Sequence, residues 1–260
     1  MSAANAEVRL PERLWVVRHG QSAGNVARDA AEANGLEMID LSWRDIDVPL
    51  SELGEQQSIA LGNWFARQPA EAQPEVVLCS PYLRALQTAR LVVEHAGLRD
   101  AALRLDERLR EKEFGILDRL TKFGIQQKHP ELDAQRTHVG KFYFRPPGGE
   151  SWCDVILRLR SLQEMVAREY GGRRVLIVAH QVIVNCMRYL IEQMDEQQIL
   201  DIDRQGDVPN CAVTIYQAHA SQEPAPNRTL RLVQANFLAP LREAATPVTV
   251  AADAPVAPKP

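Results

Sequence analysis

The sequence predicts an α/β protein with three layers, α/β/α, in which a mostly parallel central sheet lies between helices. Three short apolar runs carry this prediction, at residues 14–17, 76–79 and 175–179, and the first predicts a strand at about residues 13–18. None of them contains a turn former, and unbroken apolar runs are typical of parallel strands that are buried on both faces. Each run is followed by a segment with helical spacing, and this alternation favours a sheet with helices on both sides.

Capping residues and apolar spacing predict the helices. Ser51 is a suitable N-cap, and Ser80 followed by Pro81 predicts a cap with proline at the first helical position. Ser151 with Asp154 fits a capping box before a further helix. The predicted helices cover about residues 26–33, 51–68, 81–95, 151–170 and 182–194.

The other segments have weaker patterns. Residues 103–109 are predicted to be a short connection or an edge strand, and residues 110–147 an irregular or partly helical insertion. Alternation over residues 212–216 and 229–233 is typical of strands. The segment 239–260 is rich in Ala, Pro and Val with few aromatic residues, so we expect a disordered tail. One catalytic domain over residues 1–238 is therefore predicted, with residues 116–147 as an insertion or lid.

Composition excludes several classes of protein. The chain has 260 residues and a formal net charge of -4, so no global basic field would attract nucleic acid or an anionic membrane. The first residues lack the apolar core of a signal peptide, and no apolar run has the length of a membrane span. The four cysteines are scattered without a C-x-x-C pair, which favours reduced thiols. We therefore expect a soluble, cytoplasmic protein.

Polar side chains follow each of the three predicted strands. Arg18 and His19 end the first, Arg84 lies shortly after the second, and His180 follows the third. Because the carboxyl ends of parallel strands meet at one edge of a sheet, these residues should form one site there. Arg84 should lie in the first turn of its helix and face the same place as the free backbone amides, an arrangement that suits a phosphate.

Two histidines with two arginines indicate phosphoryl chemistry that uses no metal, because the sequence lacks zinc-binding motifs. A histidine nucleophile must be neutral, and nearby guanidinium groups favour the neutral form. The same cations stabilise charge on the equatorial oxygens during transfer. The leaving alkoxide needs a proton, and both Glu111 and Glu113 are candidates to donate it.

The motifs resemble those of a known family. In order along the chain they are RHGQS with a following Asn, SPxxRAxxTA, LxExxFG and VAH, at residues 18–25, 80–89, 109–115 and 178–180. These blocks are similar to those of the histidine phosphatase superfamily, which is also called phosphoglycerate mutase-like. The resemblance covers about residues 13–215 and implies the same three-layer fold.

The resemblance also implies roles for individual residues. His19 would carry the phosphoryl group, while Arg18, Arg84 and His180 would hold it. Glu111 would act as general acid and then as general base, which leaves Glu113 as a surface charge.

Two further residues would belong to the substrate site. Asn25 would contact the phosphate or orient the loop after His19. Gln181 stands where the family often has glycine, and the His-Gln pair resembles the fructose-2,6-bisphosphatase branch. This departure, together with the absence of the tryptophan-containing pattern of mutases after His19, favours the phosphatases of the family.

The leading hypothesis is a metal-independent phosphomonoesterase without cofactor that acts on a small phosphorylated metabolite. A phosphoglycerate mutase, which is an isomerase, is the first alternative, and an inactive module that binds a phosphorylated ligand is the second. No nucleic acid or membrane partner is expected, and the sequence allows a homo-oligomer without requiring one.

The insertion after the LxExxFG block carries an excess of positive charge. Between residues 116 and 147 there are six cations and three acids, a local charge of +3 in a chain of net charge -4. Such a wall beside the phosphate site would favour substrates with a second anionic group, and Lys122, Lys128 and Lys141 are candidates to bind it. Alternatively, the insertion is a solvated loop whose charges face away.

Overall fold

The computed structural model describes residues 10–99, 101–220 and 228–250 and contains a six-stranded sheet. The strand order is β3-β2-β4-β1-β5-β6. The strands are β1 (Arg13–Arg18), β2 (Val76–Cys79), β3 (Ala102–Leu105), β4 (Arg174–Ala179), β5 (Val213–Ala220) and β6 (Arg228–Phe237). Strands β3, β2, β4 and β1 pair in parallel, whereas β5 and β6 are antiparallel. The predicted α/β class with a mostly parallel sheet is confirmed.

Helices cover both faces of the sheet. Their bounds are α1 (Ala23–Ala33), α2 (Glu52–Ala66), α3 (Leu83–His95), α4 (Lys122–Lys128), α5 (Pro130–Val139), α6 (Trp152–Glu169), α7 (Gln181–Ile191), α8 (Glu196–Gln205) and α9 (Ala239–Glu243). Successive residues of β1 point to opposite faces, as the strand pleat requires. Leu14 and Val16 pack with residues of α6 and α7, whereas Trp15 and Val17 pack with residues of α2 and α3. The described helices include none whose length and hydropathy would let it cross a membrane.

Three details of the predicted helices are wrong. Helix α3 begins at Leu83 with Tyr82 at its N-cap, so Ser80 and Pro81 lie before the helix. Ser80 is not its cap, because its hydroxyl accepts from the Tyr82 amide at 3.3 Å in the preceding turn. Helix α7 ends at Ile191 rather than residue 194, and the left-handed backbone of Gln193 (φ 52°) follows this end.

Helix α8 was missed altogether, although the sequence contains a signal for it. The Asp195 side chain accepts from the Gln198 amide at 2.8 Å, and Gln198 Oε1 accepts from the Asp195 amide at 2.8 Å. This reciprocal pair is a capping box built from Asp and Gln.

The prediction of a disordered tail is wrong for residues 239–250. Leu241 of α9 is fully buried against α2 and Cys211. Gln57 donates to the carbonyl oxygen of Pro247 at 2.9 Å and to Thr249 Oγ1 at 3.0 Å. Composition suggested disorder, but apolar burial and these long-range hydrogen bonds fix the segment. Residues 251–260 lie outside the described residues.

The insertion over residues 116–147 is partly helical, as predicted, through α4 and α5. It has a small hydrophobic cluster of its own, separate from the two clusters that flank the sheet. This cluster contains Leu117, Leu120, Ile125, Leu132 and Phe144. A segment with its own core has a defined shape, which a solvated loop would lack.

Candidate active site

Strand register brings the predicted residues together at one edge of the sheet. Arg18 pairs with Ala179 across β1 and β4, and Cys79 pairs with Val178 across β2 and β4. The next residue of each strand, His19, Ser80 or His180, therefore emerges at the same level. The ring centroids of His19 and His180 are 5.1 Å apart, and both side chains are fully buried.

A backbone carbonyl sets the orientation of the His19 ring. His19 Nδ1 lies 2.7 Å from the carbonyl oxygen of Gly20. Because a carbonyl oxygen only accepts hydrogen bonds, Nδ1 carries the proton and donates it. In the neutral ring, the lone pair is then on Nε2. His19 is thus held in the tautomer that a nitrogen nucleophile at Nε2 requires.

The backbone around His19 is fixed by residues that the sequence analysis did not identify. Asn210 Nδ2 donates to the carbonyl oxygen of His19 at 3.0 Å, and the Gly20 amide donates to Thr88 Oγ1 at 3.0 Å. A Cβ atom on Gly20 would lie 2.4 Å from the carbonyl oxygen of Gly54, so only glycine fits there. Thr88 belongs to the SPxxRAxxTA block, whereas Asn210 is far away in sequence and has no motif around it.

His180 is positioned by the turn before α3. Its Nε2 lies 2.8 Å from Ser80 Oγ, and its ring packs edge-on against Tyr82 at a centroid distance of 5.2 Å. Ser80 therefore serves the site rather than the helix. Tyr82, and not Ser80, is therefore at the N-cap of α3.

The two arginines are buried at the same edge and engage different partners. Arg18 Nη1 donates to the carbonyl oxygen of Val208 at 2.5 Å. Arg84 lies in the first turn of α3, as predicted, and its Nη1 donates to the Asp45 carbonyl at 2.7 Å and carboxylate at 2.9 Å. Asp45 was not identified from the sequence, because it lies in an irregular connection without a motif.

The structure separates the two candidate proton donors. Glu111 is fully buried, and its Oε1 accepts from the Lys112 amide at 2.8 Å. The Glu113 side chain is about half exposed and accepts from the Tyr82 hydroxyl at 3.0 Å. Burial, together with the Asp45 and Glu113 carboxylates, raises the pKa of Tyr82, so the phenol stays protonated and donates. Because Glu111 is fully buried, whereas Glu113 is not, Glu111 has the water-poor surroundings that suit a general acid.

Asn25 and Gln181 are both buried at helix starts. Asn25 Oδ1 accepts from the Ser22 amide at 2.9 Å in a capping box that begins α1. Of the two roles expected for Asn25, this bond provides the orientation of the loop. Gln181 is the first residue of α7, and its Nε2 donates to Asp207 Oδ1 at 2.6 Å.

Within the described ranges, no group of three or more His, Cys, Asp or Glu side chains could hold a metal ion. The positive charge at this edge of the sheet comes from Arg18 and Arg84. Guanidinium groups can bind phosphate oxygens in a bidentate manner. The arrangement offers a nitrogen nucleophile, cations for an anionic group and a buried carboxyl group.

Two curated relatives of similar sequence are phosphoglycerate mutases. The chain is 29% identical over 222 residues to a 2,3-bisphosphoglycerate-dependent phosphoglycerate mutase of Methylobacterium radiotolerans, covering 84% of this chain and 96% of that protein. It is 31% identical over 198 residues to the corresponding mutase 2 of Gloeobacter violaceus, covering 75% and 83% of the two chains.

Two solved structures with a similar fold bear the names of phosphatases. A mycobacterial glucosyl-3-phosphoglycerate phosphatase superposes with a TM-score of 0.66 at 29% identity, covering 87% of this chain and 99% of that chain. A putative alpha-ribazole-5'-P phosphatase of Escherichia coli also has a TM-score of 0.66, with coverage of 87% and 98%, but its 21% identity supports only the fold.

A family model described as histidine phosphatase superfamily (branch 1) matches residues 14–225. The matched range includes every residue predicted for the site, from Arg18 to Gln181. Because this range is well over half of the chain, the protein belongs to the histidine phosphatase superfamily.

Proposed function

We propose that this protein is a metal-independent phosphatase that hydrolyses phosphomonoesters of small metabolites through a phosphohistidine at His19. The observation that carries the proposal is the bond between His19 Nδ1 and the Gly20 carbonyl oxygen at 2.7 Å. It leaves the lone pair on Nε2, in a ring that lies beside His180 and at the same edge as Arg18 and Arg84. A solved phosphatase with 29% identity and a TM-score of 0.66 supports hydrolysis.

In the first step, His19 Nε2 attacks phosphorus and the bond from phosphorus to the ester oxygen breaks. Glu111, protonated at this stage, gives its proton to the leaving alkoxide. Arg18, Arg84 and His180 hold the non-bridging oxygens and stabilise the charge that develops on them.

In the second step, water attacks the phosphohistidine. The Glu111 carboxylate takes a proton from that water as the bond from phosphorus to nitrogen breaks. Inorganic phosphate leaves, and His19 and Glu111 return to their starting protonation states. One carboxyl group serves as acid and then as base because the first step leaves it ionised.

A phosphoglycerate mutase is the second candidate function, and the curated relatives at 29% and 31% identity favour it. A mutase would use the same phosphohistidine but return the phosphoryl group to another hydroxyl. Comparing phosphate release from phosphomonoesters with transfer between 2- and 3-phosphoglycerate distinguishes the two. Transfer that exceeds release would overturn the phosphatase proposal.

Trapping of the intermediate tests the mechanism. We expect a reaction quenched during turnover to contain protein-bound phosphate that is labile in acid and stable in alkali. His19→Ala should lose this label and several orders of magnitude in turnover, because no second nucleophile stands in its place.

EDTA should leave the activity unchanged, since arginines supply the positive charge. Acid-stable label, activity retained in His19→Ala, or loss on chelation that zinc or magnesium restores would contradict the mechanism. Phosphate binding without any turnover would indicate an inactive binding module.

A further inference from the structure

A pocket with aromatic walls and positive charge opens beside the proposed general acid. Its lining includes three cations, Lys112, Arg136 and Lys141, and three aromatic side chains, Phe114, Phe144 and Trp152. Val182 also lines the pocket, two residues after His180. Lys112 directly follows Glu111, and its amide holds the Glu111 carboxylate at 2.8 Å. Two lining residues of the pocket, Lys112 and Val182, are therefore within two positions of the proposed site residues Glu111 and His180.

Lys112 is an unusual lysine, because it is buried without a carboxylate partner. Its exposure is only 8%, and its Nζ makes one long hydrogen bond, 3.5 Å to the carbonyl oxygen of Glu113. The ammonium also lies 4.4 Å from the centre of the Phe114 ring. Among the described residues, no carboxylate oxygen lies within 4 Å of it. A buried charge is costly unless it is paired, so an anionic ligand bound here would offset that cost.

The charges around Lys112 do not supply that anion. Glu111 and Glu150 act on it from a distance and favour its charged form, whereas Lys141 and Arg136 disfavour it. Burial is the largest effect and lowers the pKa of Lys112 to about 8. At neutral pH the ammonium is still mostly protonated, so it can bind an anionic group.

The other two cations of the pocket belong to the insertion and have acidic groups near them. Lys141 forms a 2.5 Å ion pair with the buried carboxylate of Asp203. Asp133 and Asp203 favour the charged form of Arg136, although burial lowers its pKa. Lys112, in contrast to Lys141, has no direct ion pair with a carboxylate among the described residues.

We propose that this pocket binds the part of the substrate beyond the phosphate, with Lys112 binding an anionic group carried on a flat, apolar body. This inference rests on the proposed phosphatase function and names the substrate class of that site. Phe114, Phe144 and Trp152 provide walls against which a flat body can pack. An ammonium in such surroundings forms a strong charge-assisted hydrogen bond with a carboxylate.

Of the three lysines of the insertion that were expected to bind a second anionic group, the structure places only one in this pocket. Lys141 does line the pocket, as expected. Lys128 instead lies 3.4 Å from Glu37, and Lys122 lines a separate cleft with Leu36. The expectation that all three lysines would form one wall is therefore wrong for Lys122 and Lys128.

Matched aryl phosphates test the proposal. The substrates are 4-carboxyphenyl phosphate and 4-carbamoylphenyl phosphate, which have similar shapes but differ in charge. The preference is the ratio of their kcat/KM values, and comparing it between variants cancels the difference between the two leaving groups. We expect Lys112→Met to lower this ratio about 10- to 100-fold, as loss of a hydrogen bond between charged groups predicts. Lys112→Arg should retain most of the ratio, and the surface variant Lys128→Met should leave it unchanged.

The outcomes separate this inference from the proposed function. Hydrolysis of both esters with the same ratio in wild type and Lys112→Met would overturn the role of Lys112 and leave the phosphatase intact. If neither ester is hydrolysed, the phosphatase proposal fails, and calorimetry with the corresponding phosphonates takes over. Weaker binding of the carboxylated phosphonate alone to Lys112→Met would then support the pocket, and equal binding of both phosphonates would overturn it.

Discussion

The sheet edge around His19 and the insertion over residues 116–147 are built in different ways. The edge is fixed by contacts between residues far apart in sequence, such as Asn210 Nδ2 to the His19 carbonyl at 3.0 Å. The insertion is built from short local helices over a small cluster of its own, and Phe123 and Tyr143 remain about half exposed. The proposed chemistry therefore depends on the whole sheet, whereas the pocket wall depends mainly on one segment.

The two regions meet in the segment from Glu111 to Gly115. Glu111 is fully buried with its Oε1 bonded to the Lys112 amide, and Lys112 and Phe114 line the pocket. Phe114 forms an isolated bridge with Gly149, so the end of this segment next to the insertion is fixed to the turn before α6. Substitutions along it can therefore separate the effects on chemistry, on architecture and on substrate recognition.

The largest expected effect of a substitution in this segment is on turnover, at Glu111. Glu111→Gln should lower kcat for an alkyl phosphate by about 10²–10⁴-fold, the usual contribution of a general acid. The loss on 4-nitrophenyl phosphate should be much smaller, because a good leaving group needs little protonation. Steady-state kinetics with both esters measures the difference.

The matched control is Glu113→Gln, two residues away. Glu113 is half exposed and bonded to Tyr82, so its replacement should change kcat by much less. A larger loss in Glu113→Gln than in Glu111→Gln would show that the proton donor has been misassigned. Equal losses on both esters in Glu111→Gln would show that it does not protonate the leaving group.

A smaller effect, on stability, is expected where the segment turns into the insertion. Gly115 has a φ of +56°, and a Cβ atom there would lie 2.0 Å from the carbonyl oxygen of Pro147. Gly115→Ala should lower the free energy of unfolding by about 2–4 kcal/mol, because left-handed strain and steric overlap both act. Denaturant unfolding measures this loss.

Gly35→Ala provides the comparison for that substitution. Gly35 has a similar φ of +63°, but a Cβ atom there would meet nothing within 4 Å. Gly35→Ala should therefore lower the free energy of unfolding by about 1 kcal/mol, through backbone strain alone. If both variants lost the same free energy of unfolding, the close approach of Gly115 to the Pro147 carbonyl oxygen would not contribute to stability.

The contrast between the regions also explains what could be predicted from the sequence. The edge was predictable because parallel strands end together, which placed His19 and His180 on the same edge from three apolar runs alone. That the two rings are neighbours depends on the pairing of β1 with β4, which the sequence did not predict. Glu111 and Glu113 could not be separated by residue type, since only burial distinguishes them. Motif resemblance was needed to choose Glu111.

Other features depend on partners that no local pattern marks. The contact of Arg84 with Asp45 joins α3 to an irregular connection, and the hydrogen bond that the Thr249 hydroxyl donates to Asn210 Oδ1 fixes a segment whose composition suggested disorder. The isolation of Lys112 from carboxylates is likewise a property of packing. Net charge predicted a basic insertion, but it could not show which cations face the pocket.

The smallest of the three effects concerns Lys112, where stability and recognition should change in opposite directions. An unfolded lysine has an ordinary pKa of 10.5, whereas burial lowers the pKa of Lys112 to about 8 in the folded protein. Below pH 8 the ammonium is protonated in both states, and the folded state bears the full cost of burying it. Between pH 8 and 10.5 the unfolded state binds more protons, so stability rises with pH through this group. Lys112→Met removes the cost and should raise the free energy of unfolding at pH 7 by on the order of 1–3 kcal/mol.

This gain should shrink as the pH rises from 8 towards 10.5, because the wild-type lysine then becomes neutral on folding. Urea unfolding of both proteins at pH 7 and pH 9.5 measures the change, and groups other than Lys112 cancel in the difference. A variant that is less stable than the wild type at pH 7 would show that the ammonium is already satisfied within the fold. A variant that is more stable and has lost its preference for the carboxylated ester would show that Lys112 lowers the stability of the fold and contributes to substrate binding instead.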